Sequence, residues 1–343
     1  MNAAQPELVT IGEVMGLLGA RGTGPLREGS TLRLGLAGAE ATVAIGVTRL
    51  GHRAAWVGRV GADAVGTVLL DTLRGEGVDV SAARLDPDRP TGLMLRESRT
   101  ADRVRISYYR EGLAGSRLGP DDVDPRLVGG ARVLHLTGIT PALGASALEA
   151  VRLAARTARA SGTLVSFDLN YRSLLWSQDR AAEVFTELLA ETDVVFAGLE
   201  EAALVTPVPA PELPADAPEL RTSGASGPER DGAGDEAACA ARALRALGPA
   251  EAVVKLGPDG ACVLSADGEH RQPALPVTSV DPVGAGDAFV AGYLSALLDG
   301  EDVPGRLRRG AVCGAFSVSS EGEWRGLPRH EELGLLGSGD ISR

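Results

Sequence analysis

Short apolar runs of strand length recur along the chain: Leu8–Ile11, Ala54–Val57, Arg132–Leu136, Leu164–Phe167, Val194–Phe196 and Ala252–Lys255. Most are separated by stretches with apolar residues at helical spacing, namely Ala39–Leu50, Val65–Arg74, Ala145–Ala160, Arg180–Ala190 and Ala237–Leu247. A run without polar alternation suits a strand buried on both faces, and a parallel crossover needs a connection of helix length. The alternation therefore predicts an α/β fold, a parallel sheet with helices on both faces. Ligands of such sheets gather outside the carboxyl ends of the strands. Asn170–Arg172, Leu199–Glu201 and Lys255–Gly260 all fall at such ends.

Near the C-terminal end, Asp281-Pro282-Val283-Gly284-Ala285-Gly286-Asp287-Ala288-Phe289 runs from a glycine-rich turn straight into an apolar helix. Gly284 and Gly286 let the backbone turn tightly. The unpaired N–H groups of the first helical turn then converge where the helix dipole also favours negative charge. A phosphate belongs at such a point. Asp287 beside it would compete with the anion unless it takes the proton of an attacking hydroxyl. The plain alternative is an Asp capping an ordinary helix.

At 343 residues the chain has room for a large domain with an appendage. The formal charge of −12 argues against nucleic acid or an anionic membrane as a partner, since either needs a basic face. Arginine supplies nearly all the positive charge, which leaves Lys255, the one lysine, conspicuous. Cys239, Cys262 and Cys313 are too few and too scattered for a metal motif or a disulfide framework. The N-terminal residues lack a basic and apolar leader pattern, and no uncharged apolar stretch reaches membrane-spanning length, so a cytoplasmic protein is expected.

Two regions break the βα pattern within the domain, which is read as residues 7–330 with tails at 1–6 and 331–343. Thr23–Leu36 and Thr91–Arg110 read as alternating strands with turn residues, expected to form a small lid sheet at about 23–36 and 91–111. Exposed strand edges of this kind pair readily with a second subunit. Thr206–Asp235 is crowded with Pro, Ala, Gly, Ser and acidic residues and reads as a mobile insertion.

Gly38-Ala39-Glu40-Ala41-Thr42-Val43-Ala44, followed by Arg49-Leu50-Gly51, is similar to the first signature of the ribokinase-like, or PfkB, carbohydrate kinases. Asp281 to Asp287 resembles their second signature, Val57-Gly58-Arg59-Val60-Gly61-Ala62-Asp63 and Gly66 lie between, and the likeness runs from Leu8 to about Pro328. Four segments narrow it to the 2-keto-3-deoxygluconate kinases of that family. They are Tyr108-Tyr109-Arg110 with Ala114-Gly115-Ser116, Leu136-Thr137-Gly138-Ile139-Thr140, Asp168-Leu169-Asn170-Tyr171-Arg172 with Leu175-Trp176, and the terminal signature.

The resemblance implies a ribokinase-like parallel-sheet core with a small β-sheet lid, and ATP-dependent phosphorylation of the primary hydroxyl of a small sugar acid. It implies Asp287 as the base and the N–H groups of Gly284, Ala285 and Gly286 as holders of the γ-phosphate. Gly38, Thr42, Met94, Tyr108, Arg110 and Arg172, with Asp287, fall at its sugar-binding positions. Asn170, Arg172, Lys255, Gly257, Gly260, Gly284, Gly286 and Ala311 fall on the nucleotide side, and Glu201 would bind Mg²⁺ through water. ATP and Mg²⁺ are the implied cofactors, with room for a monovalent cation, and a homo-oligomer, dimer or higher, is expected through the lid. Independently of the family, Arg110 and Arg172 each offer a planar fork that grips a carboxylate, although an arginine pairs as readily with a surface Asp or Glu. Lys255 reads equally well as the plain end of a strand, and Glu40 as a helix-start charge.

The chain departs from the family pattern at several positions. Thr42 and Met94 stand where the pattern has Asn and Tyr, Glu111 and Leu113 where it has Lys and Ser, and Glu323 where it has Asp. On the nucleotide side Gly198 and Ala311 each replace an Asn. These changes keep open a kinase for a neutral ketose or pentose such as fructose or ribose, and a sugar-binding sensor without catalysis. No Gly-x-x-x-x-Gly-Lys-Ser/Thr loop, zinc-protease helix or Gly-x-Ser-x-Gly elbow occurs, and the four histidines are scattered.

Overall fold

The computed structural model describes residues 5–100, 103–206 and 231–336. Its strands, in chain order, are β1 (Leu8–Ile11), β2 (Met15–Thr23), β3 (Leu32–Ala37), β4 (Ala54–Val57), β5 (Arg59–Gly61), β6 (Arg84–Asp86) and β7 (Leu93–Thr100). There follow β8 (Arg103–Tyr109), β9 (Val133–Thr137), β10 (Leu164–Asp168), β11 (Val194–Gly198), β12 (Glu251–Lys255), β13 (Ala261–Ser265) and β14 (Gly268–Gln272). The α-helices are α1 (Ala39–Arg49), α2 (Ala64–Gly75), α3 (Pro125–Gly130), α4 (Ala145–Ser161), α5 (Gln178–Leu189), α6 (Leu199–Val205), α7 (Asp231–Ala246), α8 (Ala285–Leu298) and α9 (Val303–Val318).

Among the described residues eight strands form one sheet in the order β14-β13-β12-β11-β10-β9-β1-β4. Every pairing from β12 to β4 is parallel, as the helix-length crossovers demand. The expectation of a parallel sheet is corrected at one edge, where β13 and β14 form an antiparallel hairpin closed by Ala266-Asp267 with Gly268 at a φ of 106°. Pleating sends alternate residues to opposite faces. Val9, Leu134, Phe167 and Val195 pack on the face covered by α4, α5 and α7, whereas Leu8, Val133, Phe196 and Val253 pack on the face covered by α1, α8 and α9. No helix among the described residues is long and apolar enough to cross a membrane.

Four strands form the separate lid sheet, in the order β3-β2-β7-β8. Its second half lies where expected, but its first half begins at Met15, not Thr23, and residues 24–31 only connect β2 to β3. Three glycines in Met15–Thr23 disguise that strand, because glycine is depleted in strands and packs no side chain. The insertion also needs correcting. Thr206 caps α6 and α7 starts at Asp231, so the expected range 206–235 abuts helix at its first end and overlaps it at its last, and residues 207–230 lie outside the described residues. Gly232 and Gly234 in the first turn of α7 read as loop; further along, Ala237, Ala241 and Leu244 supply the buried face.

Helix α8 is buried along one continuous stretch from Ala288 to Ala296, pressed between α1 and α9. Two glycines permit that closeness. A Cβ on Gly46 would lie 2.6 Å from the Ala291 Cβ, and one on Gly292 would lie 2.6 Å from the Arg309 carbonyl oxygen. Gly292→Ala is expected to destabilise the protein by about 1–3 kcal/mol through overpacking. Gly75→Ala, where the new methyl meets open space, is the control and is expected to be neutral or slightly stabilising. Denaturant midpoints of the two variants check this.

Candidate active site

The carboxyl ends of five parallel strands converge on one cleft of about 880 Å³. After β1 comes Glu13, after β9 the Thr137–Thr140 turn, after β10 Asn170, after β11 Glu201, and at the end of β12 Lys255. The mouth of α8 faces them, and the lid residues Met15, Met94, Ile106 and Tyr108 roof the cleft. Met94 and Tyr108 are cross-strand partners in the lid, which places both over the cavity.

Gly284 caps α8 at a φ of 83°, in the left-handed region, and a Cβ there would run into the Glu323 backbone. Only glycine fits. The N–H groups of Gly284 and Gly286 make no bond to the described residues, so they are available to an anion; that of Ala285 is engaged at 3.3 Å by the Pro282 carbonyl. The expected trio of donors is thus a pair with a third partly committed. Lys255 donates to both oxygens of Asp168 at 2.7 and 2.8 Å, and a Cβ on Gly286 would lie 3.5 Å from its Nζ. Burial alone would favour the neutral amine, but the Asp168, Glu201 and Asp287 carboxylates outweigh it and raise the Lys255 pKa. The lysine both ends the strand and projects its charge to the helix mouth.

Asp287 lies in the first turn of α8, and its Oδ1 accepts a hydrogen bond from Asn170 Nδ2 at 3.2 Å. Asn170 holds a φ of 36°, a conformation Asn tolerates, and so turns its amide towards the site. Burial, then the charge of Asp168, pushes the Asp287 pKa up to about 7, against the pull of Lys255 and Arg172. A carboxylate poised there is matched to accept a proton near neutrality.

Glu201 lines the cleft, but both of its oxygens are already used. Oε1 accepts from Tyr171 N at 2.9 Å and Oε2 from Gly198 N at 2.7 Å, which clamps the loop after β10 to the start of α6. Each oxygen keeps a second lone pair. Among the described residues no group of three or more His, Cys, Asp and Glu is placed to hold a metal ion.

The sugar side differs most from expectation. Arg110 does not present a free fork: its guanidinium is ion-paired with the buried carboxylate of Glu13 and lies 5.5 Å from the centre of the Tyr108 ring. Burial, opposed by Arg110, pushes the Glu13 pKa up to about 7. The sequence reading missed Glu13, although its place just past a strand end was a signal. Arg172 is exposed at the rim; it donates to the Tyr171 carbonyl at 3.0 Å and has no acidic partner among the described residues. Gly38 lines the cleft and donates to Glu323 Oε2 at 3.2 Å. Burial and the nearby Asp287 push the Glu323 pKa up to about 7. Glu40 is more than a helix-start charge, since its buried carboxylate accepts from the Thr137 and Thr140 hydroxyls at 2.7 and 2.6 Å.

Four expected residues stand apart from the cleft. Thr42 is fully buried within α1, and Ala311 is packed into the core beside α8. Gly257 and Gly260 lie in the turn beyond Lys255. Gly257 faces open space, whereas the tight approach at Gly260 is to the protein's own Gln272–Ala274 backbone.

The raised pKa values of Glu13, Asp287 and Glu323, each about 7, have a thermodynamic consequence. Between the ordinary carboxylate range and about 7 the folded chain holds protons that the unfolded chain has released, so stability falls as pH rises through that window. Asp287→Asn and Glu323→Gln remove that cost. Each variant is expected to raise the melting temperature at pH 8 and to leave it unchanged at about pH 2, below the ordinary carboxylate range, where both states are protonated.

Known proteins are similar to this chain along nearly its whole length. A 2-dehydro-3-deoxygluconokinase of Bacillus subtilis (strain 168) is 36% identical over 331 residues, 95% of this chain and 94% of that protein. One of the same name from Thermoproteus tenax is 39% identical over 332 residues, covering 96% and 93%. The crystal structure of a PfkB protein from Polaromonas sp. JS666 superposes with a TM-score of 0.79 at 36% identity, over 96% of this chain and 99% of that one. The pattern of the pfkB family of carbohydrate kinases matches residues 5–329, nearly the whole length over which the sheet, the lid and the Asp287 helix mouth are built, and the chain belongs to that family.

Proposed function

We propose that this kinase transfers the γ-phosphoryl group of ATP to the primary hydroxyl of 2-keto-3-deoxygluconate. The observation that carries the transfer is Asp287, raised to about 7, at a helix mouth whose Gly284 and Gly286 N–H groups are free. Asp287 takes the hydroxyl proton as the sugar oxygen bonds to phosphorus and the bond to ADP breaks. Those N–H groups and Lys255 take up the charge on the transferring oxygens, and losing one such donor costs on the order of 10²–10³ in rate. Magnesium, bound with the nucleotide, neutralises phosphate charge; Glu201 would hold it through water.

The choice of sugar acid rests on Arg172, a cation at the rim with no acidic partner among the described residues, and on the names of the two relatives. A second reading, a neutral ketose or pentose, draws on Arg110 being neutralised by Glu13 and on apolar Met94 in the roof. In either reading the lid meets that of a second copy, supported by the exposure of Leu34 and Tyr109; light scattering tests it.

An ATP-consumption assay across sugar acids and neutral sugars, with and without potassium, separates the readings. Arg172→Ala is expected to raise KM for the sugar acid by about 10- to 100-fold, the worth of a charge-assisted hydrogen bond. KM for ATP and activity on neutral sugars should barely change. Asp287→Asn is expected to abolish turnover, and the acid limb of kcat/KM in the parent should break near pH 7. Met94→Tyr decides the sugar. It leaves kcat/KM on 2-keto-3-deoxygluconate unchanged or modestly higher if that is the substrate, and swings preference towards it if another sugar is.

A further inference from the structure

Arg96 sits in the middle of β7, on the same face of the lid as Met94 and two residues further along the strand. Its sheet neighbour on β2 is Gly19, which leaves its long side chain room to cross the lid's inner face. Nη1 meets Asp281 Oδ2 at 2.6 Å, and both side chains are largely withdrawn from solvent. Among the described residues this is the ion pair that joins the lid strands to the turn in front of α8.

Asp281 is more than a counter-ion. Its Oδ1 accepts from Val283 N at 3.1 Å, within the turn that leads to Gly284, and its Oδ2 accepts from Gly322 N at 3.2 Å. The next residue, Glu323, accepts from Gly38 N and packs its backbone against Gly284. One carboxylate therefore touches the lid, the phosphate turn and the segment that meets the sugar-side loop. Burial would raise its pKa, but the bonds from Arg96, Val283 and Gly322 outweigh that and hold it below the usual carboxylate range.

We propose that Arg96 is a positioning residue of this kinase, a latch that ties the lid over the sugar to the turn that receives the phosphate. The turn keeps its shape through Asp281, and Asp281 is fully paired only while the lid is docked. Removing Arg96 leaves a buried carboxylate unpaired, an arrangement far costlier than losing a surface pair. The latch rests on the phosphoryl-transfer reading of the cleft and not on which sugar is used.

The test compares Arg96→Ala, Arg96→Lys and Asp281→Asn. Amide hydrogen exchange on the ligand-free protein needs no substrate. Arg96→Ala is expected to speed exchange together in β7 and in residues 283–286, and Arg96→Lys to stay near the parent. In turnover, with the sugar the parent uses best, Arg96→Ala should lower kcat/KM for that sugar by about tenfold or more. Its Kd for ATP alone should hardly move, and adding Asp281→Asn should cost little further. Faster exchange confined to the lid, unchanged sugar kcat/KM, or a lysine variant as impaired as alanine would overturn the proposal. Should Arg96→Ala not fold, Arg96→Gln carries the same readouts. A parent inactive on every sugar would sink the kinase reading and leave hydrogen exchange to decide the latch.

Discussion

The ammonium of Lys255 lies against Asp168, at 2.7 and 2.8 Å, and beside the first turn of α8. Asp168, Glu201 and Asp287 all act on it, in a recess where like charges repel more strongly than in water. Lys255 keeps that set of carboxylates compatible with a folded cleft, and it pulls the Asp287 pKa down against burial and Asp168. Its place is fixed by the sheet: β12 is paired on both sides, with β11 and β13, so the strand end cannot wander. The mouth of α8 is fixed with equal firmness, because the helix behind it is buried between α1 and α9.

Charge on the sugar side is arranged differently. Arg110 and Glu13 form a pair that carries no net charge when both are ionised, while Arg172 stands at the rim with no ion-pair partner among the described residues, its charge reaching Asp287 without contact. Deeper in, the cleft is lined by buried polar groups. Glu40 and Glu323 belong to that interior. Glu40 is held by two threonine hydroxyls, and Glu323 by the N–H of Gly38, so the loop before α1 and the turn before α8 share a wall.

Five of the seven departures from the family pattern fall into two groups in space, Glu111 and Leu113 lying outside both the cleft and the core. Met94, Glu323 and Gly198 line the cleft, so they bear on what binds there. Thr42 and Ala311 are core residues of α1 and α9. A sequence pattern marks both kinds alike, since a helix carries ligand-facing and core-facing residues at adjacent positions.

Much of the protein was legible in the sequence because its causes are local. The runs at Leu8–Ile11 and Ala54–Val57 became strands with those same ends, since apolar runs of that length bury on both faces wherever they fall. Gly284 and Asp287 could be placed at a helix mouth because a turn and the helix after it are fixed by neighbours in sequence. What stayed hidden depends on partners far away along the chain. Met15–Thr23 became a strand only because β3 and β7 supply its hydrogen bonds, and the first turn of α7 was obscured by its glycines. Arg110 reads as a carboxylate grip until Glu13, nearly a hundred positions earlier, takes its fork, and Lys255 reads as a strand end until Asp168 takes its ammonium. The sequence by itself determined the βα alternation and the glycine turn that sets Asp287 at a helix mouth, all fixed by periodicity and near neighbours. Only the tertiary structure decided which charges are free and which are spent, because electrostatic pairing follows distance in space.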